Sequence, residues 1–421
     1  MSKKKYLAVL HRSIKDWNKY KKQNSHLKLD LRGANLSNQT LIGIDFTGVD
    51  LTGANLVKSN LCGANFDAAN LTGANLTGAN LSGASLTGAN LTGANLIKTN
   101  YRSAELTGAN LSLANLAYAD LRVTDFSAAE LSRANFSQAN LDGAVFVGAK
   151  LTRANFELAR LIKTNFTHAN LIQANLTRVD LTEANLDKAD LTEANFFEAN
   201  LTQASFFQAD LTEANLLKSD LTEACLTGAN LTKADLIQAN LVRADLSQAN
   251  LSQANLVQAK AWLTNFERSI LTGACIEKLK IARQTCFAKV TCKYLYLKDR
   301  EKQRRPKNPE QFLTSQEFQS IIQSLIGSIE MIFDANLDWS TFLNTFENLQ
   351  LQYKSFDISI KGIEVLSDRR FLVKINVIPG IEARVIKNFV WHKYNLISLT
   401  KNKLAIEEIN IDEKFSTYKQ N

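Results

Sequence analysis

Residues 71–95 read LTGANLTGANLSGASLTGANLTGAN, five near-copies of one five-residue unit. A period of five matches neither the 3.6 of a helix nor the 2 of a strand, so neither element can hold the leucines on one side. A chain that turns a corner once per unit can. The leucine and the alanine two residues before it then point inward, and the other three residues of each unit point out.

Outward from this stretch the register holds from Leu31 to Ile276 in steps of five, 50 positions with no insertion, and all are Leu or Phe except Tyr101, Ala261 and Ile276. The small inward residue is nearly always Ala, with Ser59, Thr99, Thr164 and Val179 among its substitutes. A small residue before the centre, Asn or Asp next, Leu or Phe at the centre, then Ser or Thr: this pattern resembles the pentapeptide-repeat family. The resemblance covers residues 29–285 and implies an all-β solenoid, a right-handed quadrilateral β-helix of about 12 coils with four units, or 20 residues, in each. At a strand spacing of about 4.8 Å such a rod is on the order of 60 Å long.

A 20-residue coil sorts the central residues into four columns. The column containing Leu31 is Leu throughout, and the one facing it contains Tyr101 and Ala261. All ten central Phe fall in the other two columns: Phe136, Phe156 and Phe196 in one; Phe46, Phe66, Phe126, Phe146, Phe166, Phe206 and Phe266 in the other. Each Leu or Phe contributes roughly 1.5–3 kcal/mol of burial against about 1–2 kcal/mol of backbone entropy per ordered residue, so coils are stable only when stacked. Outward Thr52, Thr72, Thr92, Ser112, Ser132 and Thr152 are expected to form a cross-strand ladder.

The 421 residues carry a net charge of +8, unevenly placed. Residues 1–28 hold nine Lys and Arg against one acid; residues 29–285 hold 20 against 24; the remainder holds 20 against 16. A protein-wide basic surface for nucleic acid is therefore not supported. Duplex DNA carries one charge per about 1.7 Å, and a middle region so near neutrality is a poor mimic of it. The position before the centre has 27 Asn and 11 Asp, and only residues 180–223 are distinctly acidic. Within the family some members act on DNA gyrase as DNA mimics, which makes topoisomerase regulation the alternative reading.

No apolar run reaches the roughly 18 residues of a membrane span. Lys3 to Lys5 are followed only by Tyr6 to Leu10 before charge returns, which argues against a signal peptide. Five scattered Cys suggest a reducing compartment, and cytoplasmic placement is expected. The four His fall in separate segments, no Cys-x-x-Cys occurs, and Gly sits where corners want it, so no enzyme, metal site or cofactor is expected.

Stacked strands need covered ends. Residues 1–28 read as a basic amphipathic helix, with Leu7, Leu10, Ile14 and Trp17 at spacings of three, four and three, expected to cap the first coil. Its lysines leave attachment to a membrane surface as a second possibility, that of a membrane-attached organiser. The segment from Trp17 to Asn24 resembles the entry of many cyanobacterial pentapeptide-repeat proteins. Residues 286–310 read as an end segment and a charged linker containing Arg304, Arg305, Pro306 and Pro309. Residues 311–421 read as a small α+β domain: helices over 315–334 and 338–350, strands through Phe356–Ile360 and Phe371–Val377, and a turn at Ser367 to Arg370. Leu271–Glu277, Tyr294–Leu297, Arg304–Pro306 and Leu337–Phe346 resemble the closing region of a cyanobacterial subgroup, a resemblance that implies no activity.

One outer column is unusual. Phe197, Leu217, Ile237 and Val257 lie 20 apart and should form a continuous apolar stripe on four successive coils. Such patches mark interfaces. The stripe points to a non-enzymatic scaffold whose face is covered by a protein partner, a second copy, or the chain's own C-terminal domain.

Overall fold

The computed structural model describes residues 3–397, apart from 25, 283, 299–301, 326–327, 335–336, 354–357, 367–369 and 377–383. It divides into two compact units, one made of residues 1–279 and 285–318, the other of 280–284 and 319–421.

The first unit is a solenoid. Parallel bridges join each residue before a centre to its counterpart 20 residues on, beginning with Asp30 to Asp50 and Asn35 to Asn55. Four units therefore complete one coil. Leu51 N–H donates to Asn70 O at 2.7 Å, Gly53 N–H to Thr72 O at 2.9 Å, and Asn55 N–H back to Ala34 O at 2.9 Å. Each corner closes on itself, as when Ala54 N–H donates to Leu51 O. The residue two after every centre, from Gly33 to Lys278, has φ between 53° and 78°. That left-handed φ is what the third position of a type II turn requires. Only fifteen of these fifty corners are Gly.

The Asn or Asp before each centre completes the corner. Asn70 Oδ1 accepts the main-chain N–H of Thr72 at 3.2 Å and its hydroxyl at 2.6 Å, while Asn70 Nδ2 donates to Thr52 Oγ1 of the preceding coil at 2.9 Å. The expected hydroxyl ladder is therefore threaded through amides rather than running hydroxyl to hydroxyl. Asn and Asp offer the same acceptor oxygen, so charge at this position varies while the geometry stays fixed.

The interior is largely apolar and is aromatic in its middle. Phe126, Phe146 and Phe166 stack nearly parallel at 4.8 and 4.9 Å, Phe136 on Phe156 at 4.8 Å, and the two sets meet edge-to-face at about 6 Å. Two opposed columns of Phe thus reach one another across the coil, an arrangement in which the ring quadrupoles attract.

The solenoid does not stop at 285. After Ile281 one extra residue enters, and the bridges become 21 apart: Asn265 to Cys286, Ile270 to Thr291, Cys275 to Tyr296. Phe287 stacks on Phe266 at 4.9 Å, and Leu295 is fully buried. The inward pattern resumes after the insertion, which is why a strict count of five loses it. Tyr294 then lies over the Gly273 corner, where an added Cβ would stand 3.2 Å from the ring. The expected solvated linker is partly a hairpin: β1 (Leu295–Lys298) pairs antiparallel with β2 (Lys302–Arg305). Arg304 stacks on Tyr294 at 4.3 Å and donates to the carbonyls of Pro306, Asn308 and Pro309, so its guanidinium organises the loop.

At the other end the single expected helix is two, α1 (Lys3–Leu10) and α2 (Ile14–Gln23). The break is chemical. Ser13 is extended and its hydroxyl accepts the N–H of Asp16 at 3.0 Å, an N-cap that starts α2 anew.

In the second unit α3 (Ser315–Leu325, which begins in the first unit) ends early, and the region expected to continue it as helix is a strand, β3 (Ser328–Phe333). Its apolar residues alternate as well as they follow helical spacing, and pairing with a partner strand decides between the two. The antiparallel sheet runs β3–β5–β4, with β4 at Ser359–Val365 and β5 at Phe371–Asn376. Helix α4 (Trp339–Gln352) and a helix over 384–397, not foreseen from the sequence, supply Phe342, Phe346, Leu349, Ile386 and Val390 to a core with Met331, Phe333, Val373 and Ile375. Phe356, Val377 and the turn from Ser367 lie outside the described residues.

Candidate functional site

The stripe residues share one outer column. Main-chain hydrogen bonds hold its coils in register: Glu198 N–H donates to Leu217 O at 3.1 Å, Lys218 N–H to Ile237 O at 2.9 Å and Gln238 N–H to Val257 O at 2.9 Å. Phe197, Leu217 and Ile237 are half-buried and Val257 is 9% exposed. The column is thus a shallow apolar band, less exposed than the sequence alone implied. The next column bounds it with charge. Lys218 Nζ stands 5.7 Å from the Phe197 ring centre and 3.5 Å from Glu198, which also pairs with Arg178 at 2.9 Å. The Arg178 hydrogen bond, reinforced by Lys218, holds the Glu198 carboxyl below the usual carboxylate range. On the other side Asn215 Nδ2 donates to Asn195 Oδ1 at 2.9 Å. Neighbouring polar groups are satisfied among themselves, so a partner meeting the band would not have to break them.

Sequence reasoning missed a second apolar feature. Leu113, Tyr118 and Val123 occupy three successive corners of one coil and are 58%, 51% and 60% exposed. Val123 is β-branched at φ 57°, a conformation that costs such a residue more than any other kind. Tyr118 is fixed between Lys98, 5.9 Å from its ring centre, and Gln138, which donates to its hydroxyl at 3.1 Å. The signal was available: three large apolar residues in a row at corner positions where Gly, Gln or a charge mostly stands.

The expected capping residues are placed as follows. Trp17 is fully buried, its Nε1–H donates to Asp45 O at 2.7 Å, and its ring meets Phe46 edge-on at 5.7 Å. Asn18 donates to Gly43 O and accepts from Asp45 N–H. Leu10 is buried; Leu7 and Ile14 are half-buried; Tyr6, not singled out beforehand, is buried.

No group of His, Cys, Asp and Glu among the described residues could hold a metal ion. No disulfide joins any of the five Cys, all of them among the described residues. Burial pushes the Cys292 thiol up to about 12, so it is not poised as a nucleophile. No helix among the described residues is long and apolar enough to cross a membrane.

Repetition, corners and stacked Leu and Phe define a β-helix solenoid of pentapeptide units. The family description "Pentapeptide repeats" matches in successive windows that cover residues 30–100 and 102–281, and the chain belongs to that family. Among solved structures it is similar to HetL, a pentapeptide repeat protein involved in heterocyst differentiation regulation from the cyanobacterium Nostoc sp. strain PCC 7120. That match has 31% identity, covers 48% of this chain and 88% of that one, and has a TM-score of 0.43. It is also similar to a pentapeptide repeat protein from the Arabidopsis thaliana thylakoid lumen (32% identity, 22% and 69% covered, TM-score 0.19). A third match is QnrB1, a plasmid-mediated fluoroquinolone resistance protein (19% identity, 49% and 86% covered, TM-score 0.24). A search of the curated proteins returns no match.

Proposed function

We propose that this protein is a non-enzymatic cytoplasmic scaffold that docks a protein partner on outward apolar side chains of its solenoid, with α1 and α2 closing the first coil. The observation that carries the reading is the band of Phe197, Leu217, Ile237 and Val257, held on hydrogen-bonded main chain with its polar neighbours already paired. Rigid, pre-organised apolar surface binds without an ordering cost.

Charge argues against the alternative of mimicking DNA. In the acidic stretch Glu183 pairs with Lys163, Glu213 with Lys233 and Glu223 with Arg243, each joining successive coils. Acids neutralised in this way do not present a duplex-like row of anions. The test is recovery of the full chain with its partners from the native cell, repeated with Leu217→Asp and, separately, Val123→Asp. Loss of the same partner with one substitution and retention with the other assigns the face. A partner set unchanged by both substitutions overturns the reading.

A further inference from the structure

The face that carries the apolar band has four outward rows, each advancing by one residue per coil. Beside the band, Asn195, Asn215, Asp235 and Asn255 are bridged from coil to coil. The corners that border this face are Glu193, Glu213, Lys233 and Gln253 on one rim and Glu198, Lys218, Gln238 and Gln258 on the other, all with φ between 54° and 59°. Glu213 and Lys233 are exposed, and the Lys233 ammonium lies 2.8 Å from the Glu213 carboxylate. Two flat faces can meet about a two-fold axis in their plane. An axis along the rod would lay each band over the other copy's Asn row. An axis across the rod instead reverses every row upon itself, so band meets band.

The middle of the band falls between Leu217 and Ile237. With the axis there, Leu217 meets Ile237 of the second copy, and half-buried Phe197 meets Val257, which is recessed at 9% exposure. The same axis sets Glu213 against Lys233 and Lys233 against Glu213. Glu193 then meets Gln253, Glu198 meets Gln258 and Lys218 meets Gln238, so each remaining corner charge in these four coils faces an amide. Other registers are penalised. Moved to the coil of Leu217, the axis opposes Glu213 to itself; moved to that of Ile237, it opposes Lys233 to itself, and like charges in apposition are costly. The overlap runs from the coil of Thr177 to that of Glu277. Its one like-charge meeting, Arg178 with Lys278, is marginal, and each has its own carboxylate, Glu198 at 2.9 Å and Glu277 at 3.8 Å.

We propose that the band is occupied by a second copy of this chain, its solenoid antiparallel and stacked flat about an axis between Leu217 and Ile237. The apolar row and the charged rim select this register independently. This pairing rests on the docking function proposed above and names the partner. At about 4.8 Å per coil and roughly 10 Å of width, the overlap buries on the order of 300 Å² per copy, which suits a weak, reversible dimer.

The test is sedimentation equilibrium of the full chain at low ionic strength. It compares wild type, Lys233→Glu, Glu213→Lys, the double exchange of these two, Leu217→Asp, and the control Arg243→Glu, on a different rim and paired with Glu223. A monomer–dimer equilibrium with Kd on the order of 10–100 μM is expected. Each single reversal and Leu217→Asp should weaken it about tenfold or more. The double exchange should restore it by rebuilding both facing pairs, which separates a lost contact from a lost fold, and the control should leave it unchanged. A wild type that stays monomeric at about 1 mM, or single reversals that weaken the dimer no more than Arg243→Glu does, overturns the pairing. A monomeric wild type whose captured partner is nevertheless lost with Leu217→Asp strikes out this occupant alone and leaves the docking function standing.

Discussion

The solenoid has two halves that reach the same backbone by different chemistry. From Gly33 to Gly108 most corners are Gly, for which a φ near 60° costs nothing. From Leu113 to Arg268 Gly is rare and the corners are mainly Gln, Glu, Lys and Arg at the same φ. Those residues accept a left-handed penalty of roughly 1–2 kcal/mol each. They offset it with contacts Gly cannot make: Arg153 to Gln173 at 2.6 Å, Gln173 to Glu193 at 2.7 Å, Gln203 to Glu223 at 2.9 Å, each reaching one coil further. The second half also has the aromatic interior. Backbone geometry is thus set by stacking, and corner identity is left to adjust surface and cohesion.

The contrast breaks most visibly at Phe146, which stacks on Phe126 and Phe166 and meets Phe136 and Phe156 edge-on. Phe146→Ala should cost about 3–5 kcal/mol, read by guanidinium denaturation followed by circular dichroism. A loss no larger than that of an Ile→Val change would show that the ring block is not what joins the second half. Next in size is a corner exchange. Gly53→Gln should destabilise by about 1–2 kcal/mol, because its Cβ has room but its φ of 64° does not suit a side chain. Gln203→Gly should be nearly neutral, strain relief offsetting the lost bond to Glu223. Equal effects at the two sites would erase the distinction between the halves.

A smaller effect belongs to Tyr101, the one aromatic centre with a hydroxyl. It is fully buried, the hydroxyl has no hydrogen-bond partner, and burial pushes its pKa up. Tyr101→Phe should stabilise by about 1 kcal/mol, seen as a higher melting temperature. Smallest is the response to acid. Glu198 and Glu223 lie below the usual carboxylate range, Glu198 chiefly through Arg178 and Glu223 chiefly through Gln203 and then Arg243. A carboxylate depressed in the folded state contributes stability above its unfolded pKa and loses it as pH falls through the folded value. Stability should therefore decline slightly more below the carboxylate range in wild type than in Glu198→Gln, and less so in high salt, since these pairs are exposed.

Much of this was legible in the sequence because the period is rigid: one inward Leu or Phe every five residues demands a corner in every unit, the resemblance to pentapeptide-repeat proteins supplied four units per coil, and the opposed Phe columns then followed from counting. The extension to Tyr296 was not, because one extra residue near 283 broke the count while leaving the packing intact. The break at Ser13 between α1 and α2 was hidden, since the apolar spacing of Leu7, Leu10, Ile14 and Trp17 runs straight across it. Residues 328–333 were misread because Ile329, Met331 and Phe333 suit either period, and only β5 decides. At the candidate site the band was visible as a column, whereas the Leu113–Val123 corners required knowing that those positions are left-handed.

The late insertion also bears on how such a chain can change length. Past residue 283 every contact is displaced by one in numbering, yet Phe287 still finds Phe266 and Leu295 still closes the interior. A winding that swallows a stray residue at a bend and recovers its rhythm within one lap can also gain or shed whole laps between its two closures. Its span is then an inherited dimension, free to be matched to whatever it must reach along.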